Sequence, residues 1–234
     1  VLRTQTLTRQ SHFFLLSSFP KFPQLKDKQD RCASYNQNEN LMNRITVFCG
    51  SSFGTDNEFE LQAKELGKKL ALQNIELVYG GANVGLMGAV ASGTLKNSGR
   101  VIGILPNFLK SKEIAHNELT ELILVDSMHE RKTKMNELCD GVIALPGGFG
   151  TIEELFEMLT WGQLGLHKKP IGILNINGFY DNLIAFLDDM VTKGLLKEIN
   201  RKMVLISENI DELIIKMKTY QAPTTGKWIT KETT

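Results

Sequence analysis

The sequence predicts an α/β protein: a Rossmann-like, doubly wound sheet of about seven parallel strands with helices on both faces. Three observations lead there. From Met42 onward, short apolar segments alternate with longer segments of helical period. The apolar segments are continuous rather than alternating, as strands covered on both faces must be. Three of them run directly into glycine, at Gly50-Ser51, Gly80-Gly81 and Gly147-Gly148, which is how a βα turn is punctuated.

The elements follow in order. Residues 44–49 (RITVFC) form a β-branched strand that stops at Gly50-Ser51-Ser52. Residues 57–74 carry Phe59, Ala63, Leu66, Leu70 and Ala71 at helical spacing. Residues 75–79 (IELVY) read as a strand, and residues 84–97 as a helix of small residues ended by Gly99. A strand over 100–105 is closed by Pro106, and another spans 119–125. Ser127 is placed to cap a helix over 128–139. A strand over 141–145 enters Pro146-Gly147-Gly148, followed by a helix over 150–164. The strand 170–175, the helix 180–193, the strand 203–206 and the helix 210–220 complete the pattern.

One domain is expected from 42 to 222, with a flexible tail over 223–234. Residues 1–41 differ: they are rich in Gln, Ser, Asn and Thr, with one apolar cluster at Phe13-Phe14-Leu15-Leu16. The chain begins at Val1, and Met42 stands just before the first strand. The expectation is a disordered or non-native extension; a targeting segment is the alternative, but Ser17-Ser18 and Pro20 interrupt its apolar run.

Composition narrows the function. Lys plus Arg is 27 and Asp plus Glu is 26, a net charge of +1, so no basic excess is available for a nucleic-acid polymer. No apolar run is long enough for a transmembrane helix. Cys32, Cys49 and Cys139 form no CxxC pair, so neither a disulfide scaffold nor a metal site is expected, and a reducing, cytoplasmic setting is.

In a doubly wound sheet the ligand lies beyond the carboxyl ends of the strands. A single glycine turn there needs no ligand to explain it. Three on one rim favour a nucleotide or phosphate, which Gly50, Ser51, Gly80 and Gly81 would help to hold. Two motifs sharpen this. Pro146-Gly147-Gly148-Phe149-Gly150-Thr151-Ile152-Glu153-Glu154 is neither a dinucleotide fingerprint nor a P-loop. In it Thr151 offers a cap and a hydroxyl, and the two glutamates are expected in the first helical turn, where the dipole favours them. Met128-His129-Glu130-Arg131-Lys132 puts two cations at another helix start, against the dipole, so an anionic partner is expected. His129, Cys49 and Cys139 read as structural, Lys168-Lys169 as a solvated turn, and Leu86, Met87, Ala89, Val90 and Met158 as core or subunit contact.

Together these motifs, 23 residues apart from Arg131 to Glu154, resemble the Lonely Guy family of cytokinin riboside 5′-monophosphate phosphoribohydrolases, often mislabelled lysine decarboxylases. Tyr79–Gly88 (YGGANVGLMG) and Thr160–Pro170 (TWGQLGLHKKP) resemble family segments too, and the likeness spans roughly 43–220. The resemblance implies hydrolysis of the N-glycosidic bond of an N6-substituted adenosine 5′-monophosphate to free base and ribose 5-phosphate. It implies no cofactor or metal, and a homodimer. Arg131 and Glu154 match the family's catalytic pair. Glu113, Lys132, Gly148, Phe149, Gly150, Ile152, Glu153 and Thr160 match substrate contacts, and Gly147 with Thr151 would complete the phosphate turn. At Glu113 the match is loosest, because SKE replaces the more usual PRE. A broader AMP or purine nucleotide nucleosidase, and a non-catalytic nucleotide carrier or sensor, are the alternatives.

Overall fold

A computed structural model describes residues 41–110, 116 and 118–223. The expected extension and tail, apart from Leu41 and Pro223, lie outside the described residues, as does Glu113. Seven strands make one sheet: β1 (Arg44–Phe48), β2 (Glu76–Tyr79), β3 (Val101–Pro106), β4 (Glu121–Val125), β5 (Gly141–Ala144), β6 (Ile171–Leu174) and β7 (Val204–Ser207). Their order is β4-β3-β2-β1-β5-β6-β7, and every pairing is parallel. The order reverses between β1 and β5, which opens a crevice at their carboxyl ends.

The longer helices are α1 (Asn57–Leu72), α2 (Gly85–Leu95), α4 (Met128–Leu138), α5 (Phe149–Gln163), α6 (Asp181–Thr192) and α8 (Ile210–Lys218). One-turn helices α3 (Asn107–Lys110) and α7 (Glu198–Arg201) were not expected; four residues give no period to read. Two cores form, one per face. Leu66 and Leu70 of α1, Leu86 and Val90 of α2 and Leu213 and Met217 of α8 bury with Ile45, Val47 and Leu77. Met135 of α4, Leu155 and Met158 of α5 and Leu187 of α6 bury on the other face with Phe48, Val78 and Ile143's neighbours Val142 and Ala144. Pro106 does not close β3 from outside: it is the strand's last residue, registered with Val125. No helix of the described residues is long and apolar enough to cross a membrane.

The apolarity of α2 is spent inside the subunit. Leu86, Ala89, Val90 and Ala91 are buried, and α2 lies directly against α1. A Cβ on Gly67 would meet Val90 O, and one on Gly93 would meet Lys64 O, so each helix presents bare backbone to the other. Gly93→Ala is therefore expected to lower stability. Overpacking costs about 1–3 kcal/mol, against a helix-propensity gain of at most about 1 kcal/mol. Urea unfolding checks this, and unchanged or raised stability would contradict so close an approach.

Candidate active site

Backbone contacts lock the rim of the crevice together. The Gly50 N–H donates to Pro146 O (3.0 Å), and the Leu86 N–H donates to Gly50 O (3.1 Å). Gly85 has φ +51, and a Cβ on it would run into the backbone of Ser51 and Ser52. The turn after β1 is thus wedged between the start of α2 and the turn after β5. Ser51 and Ser52 remain exposed at its tip.

The start of α4 is fixed by Ser127, whose hydroxyl accepts from the Glu130 N–H (3.1 Å), while the Glu130 carboxylate accepts from the Asp126 N–H (2.8 Å). One turn on, Arg131 points inward and is 9% exposed. Its Nε donates to Ile104 O (3.1 Å) and its Nη2 to Gly80 O (3.2 Å). A Cβ on Gly80 would overlap the guanidinium, so Gly80 makes room for Arg131. Gly81, at φ +77, continues the turn, and its carbonyl accepts from the His116 N–H (3.1 Å). Within the chain, Arg131 Nη1 lies 4.0 Å from Glu154 Oε1.

The helix after the glycine turn starts earlier than expected. Gly148 is the N-cap and α5 opens at Phe149. Thr151 is therefore not a cap; it is buried in the first turn with its hydroxyl against Gly147. Glu153 and Glu154 fall in the second turn, where the dipole no longer accounts for them. Ile152 N–H donates to Gly148 O (3.2 Å), so the amides of Phe149, Gly150 and Thr151 precede the intrahelical ladder and are available to an anion. Nothing stands within 4 Å of where a Cβ on Gly148 or Gly150 would be, and Phe149 is 98% exposed. This chain's own packing does not demand those glycines. A ligand lying close over the turn would.

The electrostatics single out Glu154, whose side chain is 13% exposed. Burial pushes its carboxyl up to about 7; Arg131 and Lys132 pull it down, and Glu153 and Glu157 push it further up. Burial also lowers the proton affinity of Arg131, which Glu154 opposes, and a guanidinium keeps its charge regardless. Lys132 is not free: its Nζ lies 2.6 Å from Glu153 Oε1 and 3.1 Å from Glu157 Oε1. These hydrogen bonds raise its proton affinity. Glu153 is exposed and turned to Lys132 rather than to Arg131.

The structure thus gathers Gly50, Gly80, Arg131, Gly147, Thr151 and Glu154 at one crevice, with Lys132 and Glu153 at its edge. It does not gather Thr160. That residue is exposed about 13 Å along α5 from Thr151, and its hydroxyl donates to Phe156 O (2.7 Å). His129 is exposed, and burial pushes the Cys49 thiol up, away from thiolate chemistry. No group of His, Cys, Asp or Glu among the described residues has the arrangement of a metal site. Two features escaped the sequence. Ile104 anchors Arg131 through its carbonyl, which residue type does not reveal. A cavity of about 240 Å³ opens beside the glycine turn, walled by Ser52, Phe53, Phe59, Phe179 and the backbone of Gly147 and Gly148; its aromatics come from three separate segments.

The chain is similar to known proteins in sequence and in fold. A family model described as possible lysine decarboxylase matches residues 87–217. The cytokinin riboside 5′-monophosphate phosphoribohydrolase LOG of Oryza sativa subsp. japonica is 44% identical over 177 residues, 76% of this chain and 73% of that protein. LOG2 of Arabidopsis thaliana, of the same name, is 43% identical over 76% of this chain and 83% of its own. Among solved structures, the molybdenum cofactor binding protein of Rippkaea orientalis superposes with a TM-score of 0.59 at 26% identity, covering 76% of this chain and 97% of that one. The molybdenum cofactor carrier protein of Chlamydomonas reinhardtii shares the fold, with a TM-score of 0.58 at 21% identity over 76% and 97% of the two chains. By its match to the family model and its identity to these relatives, the chain belongs to the Lonely Guy family of cytokinin riboside 5′-monophosphate phosphoribohydrolases.

Proposed function

We propose that this protein hydrolyses the N-glycosidic bond of N6-substituted adenosine 5′-monophosphates, releasing the free base and ribose 5-phosphate. The observation that carries the reading is Glu154: a buried carboxyl with a pKa of about 7, facing an immobilised guanidinium 4.0 Å away. It sits one helical turn beyond three open amides suited to a phosphate. With the 5′-phosphate on Phe149–Thr151, the ribose extends toward Glu154. As the C1′–N bond breaks, its electrons leave with the base and C1′ gains oxocarbenium character. The Glu154 carboxylate opposes that charge and takes a proton from the water that adds to C1′, while the departing ring nitrogen gains one proton from solvent; Glu154 then returns its own, so the water is divided as OH on C1′ and H on the free base. Arg131, tethered through Nε and Nη2, keeps Glu154 and the sugar in register through Nη1.

The decarboxylase description fits less well. A Schiff-base lysine needs a lowered proton affinity, and Lys132, the lysine at this crevice, has the reverse. The structural relatives from Rippkaea orientalis and Chlamydomonas reinhardtii are a cofactor-binding protein and a cofactor carrier, and product release separates a binding role from the one proposed. A reducing, cytoplasmic setting suits the free thiols Cys49 and Cys139.

In steady-state kinetics on folded variants, Glu154→Gln is expected to lower kcat by roughly 10²-fold or more, Arg131→Ala to impair both kcat and KM, and Glu153→Gln to cost less than either. Because Glu154 is protonated below about 7 and ionised above it, kcat/KM rises with pH through that region in the wild type. A near-wild-type kcat in Glu154→Gln, or a larger loss in Glu153→Gln, would return the fold to a binding role.

AMP is expected to react while adenosine hardly does, because a charge-assisted anchor contributes several kcal/mol of transition-state binding; release of free base reads this. Equal turnover of the two would remove the phosphate turn from the reaction. We further propose a homodimer with the site near its interface, supported by exposed Phe149 and Met128 beside the crevice. An obligate dimer buries more than about 2,000 Å² in total, and light scattering at micromolar concentration is expected to give twice the chain mass. A monomer would contradict it.

A further inference from the structure

The crevice contains more acid than base. Arg131 and Lys132, neighbours on α4, face Glu153, Glu154 and Glu157 on α5. Two cations meet three carboxylates, so the cluster is neutral when one carboxylate carries a proton. Geometry decides which. Lys132 Nζ takes Glu153 at 2.6 Å and Glu157 at 3.1 Å. Glu154 is left with a guanidinium 4.0 Å away, and that guanidinium already spends its Nε and Nη2 on backbone carbonyls.

Glu157 has no place in the motif that the chain shares with its family segment, which ends at Glu154. Three residues on from Glu154, it lies about 60° round the helix, on the same side. Its side chain is 20% exposed, against 56% for Glu153, and Lys132 is 16% exposed. The Lys132–Glu157 contact is therefore the shielded half of the clamp, where solvent screens it least.

We propose that Glu157 is a positioning residue: by clamping Lys132 to α5 it offsets that cation's charge beside Glu154 and leaves Glu154 as the carboxyl of the site that exchanges a proton. This rests on the glycosidase reading given above. The charged and titratable groups facing Glu154 are Arg131 and Lys132 from α4, Glu153 and Glu157 from its own helix, and Cys49 at the end of β1. Of these, Lys132 lowers the proton affinity of Glu154 and Glu157 raises it. Removing the Glu157 charge subtracts a raising influence and uncovers a lowering one. Both changes have the same sign.

The test is the pH profile of kcat/KM with AMP for the wild type, Glu154→Gln, Glu157→Gln, Glu157→Asp and Lys132→Met, each with its thermal melt. The expected result is a rising limb near pH 7 that is absent in Glu154→Gln. In Glu157→Gln it moves to lower pH, and in Glu157→Asp it stays nearer the wild type. In Lys132→Met it moves to higher pH. The opposite displacements hold even if Glu157→Gln is less stable, and if that variant does not fold, the Asp and Met variants carry the comparison. A limb that Glu154→Gln removes but Glu157→Gln leaves in place, with a lowered melting temperature, would make Glu157 a staple between α4 and α5 and overturn the proposal. A limb that persists in Glu154→Gln would overturn the assignment of Glu154 itself, and this proposal with it.

Discussion

The crevice depends on a buried guanidinium. Taking Arg131 out of water is costly unless its donors are satisfied and its charge is opposed. The fold meets both conditions with parts that a doubly wound sheet already has. Gly80 O, just past β2, and Ile104 O, in β3 beyond its pairing with β2, accept from Arg131. The opposing charge comes from α5, across the point where strand order reverses. Glycine at position 80 is what lets the guanidinium reach those carbonyls. The same burial that holds Arg131 desolvates Glu154, and its carboxyl moves from 4.5 to about 7. One interaction thereby fixes a position and sets a proton affinity.

That arrangement has a thermodynamic signature. Between about 4.5 and about 7 the folded protein keeps a proton on Glu154 that the unfolded chain releases. The contribution of this group to stability therefore falls as pH rises through that window and is lowest above it. A carboxyl placed to work near neutral pH is held there at the expense of the fold. The two hydrophobic cores and the interlocked turns at Gly50, Gly85 and Pro146 supply the rigidity that tolerates it. Beside the buried pair, the start of α5 asks nothing comparable: its amides lack partners because every helix start does, and they answer an anion without rearrangement.

Much of this was legible in the sequence. Burial on both faces writes itself as continuous apolar strands, and all seven are found within a residue or two of their expected bounds. Ser127 caps α4 as its position before the helix suggested. Other features were not legible, for identifiable reasons. Phe149, between two glycines, carries no helical signal, so the sequence does not show that α5 opens there and leaves Thr151 with the features of a cap. Arg131 and Lys132 are adjacent and similar, yet one is buried and the other lies at the edge; a helix rotates successive residues by about 100°, and only the packing of α4 decides which points in. The apolar character of α2 suggested a subunit contact as readily as a core, and the glycine contacts with α1 show where it is spent. Thr160 matched a motif, but its hydroxyl is engaged within its own helix.

The ionisation of Glu154 is the quantity on which the proposed chemistry turns, and it can be observed without substrate. Carbon-13 NMR of the protein labelled at glutamate side-chain carboxyls, followed across pH and compared with Glu154→Gln, measures it directly. One carboxyl titrating near pH 7, missing from the variant, is the expected result. A wild-type spectrum in which every glutamate titrates in the ordinary range near 4.5 would contradict the buried Arg131–Glu154 pair as the source of a neutral-pH acid–base group.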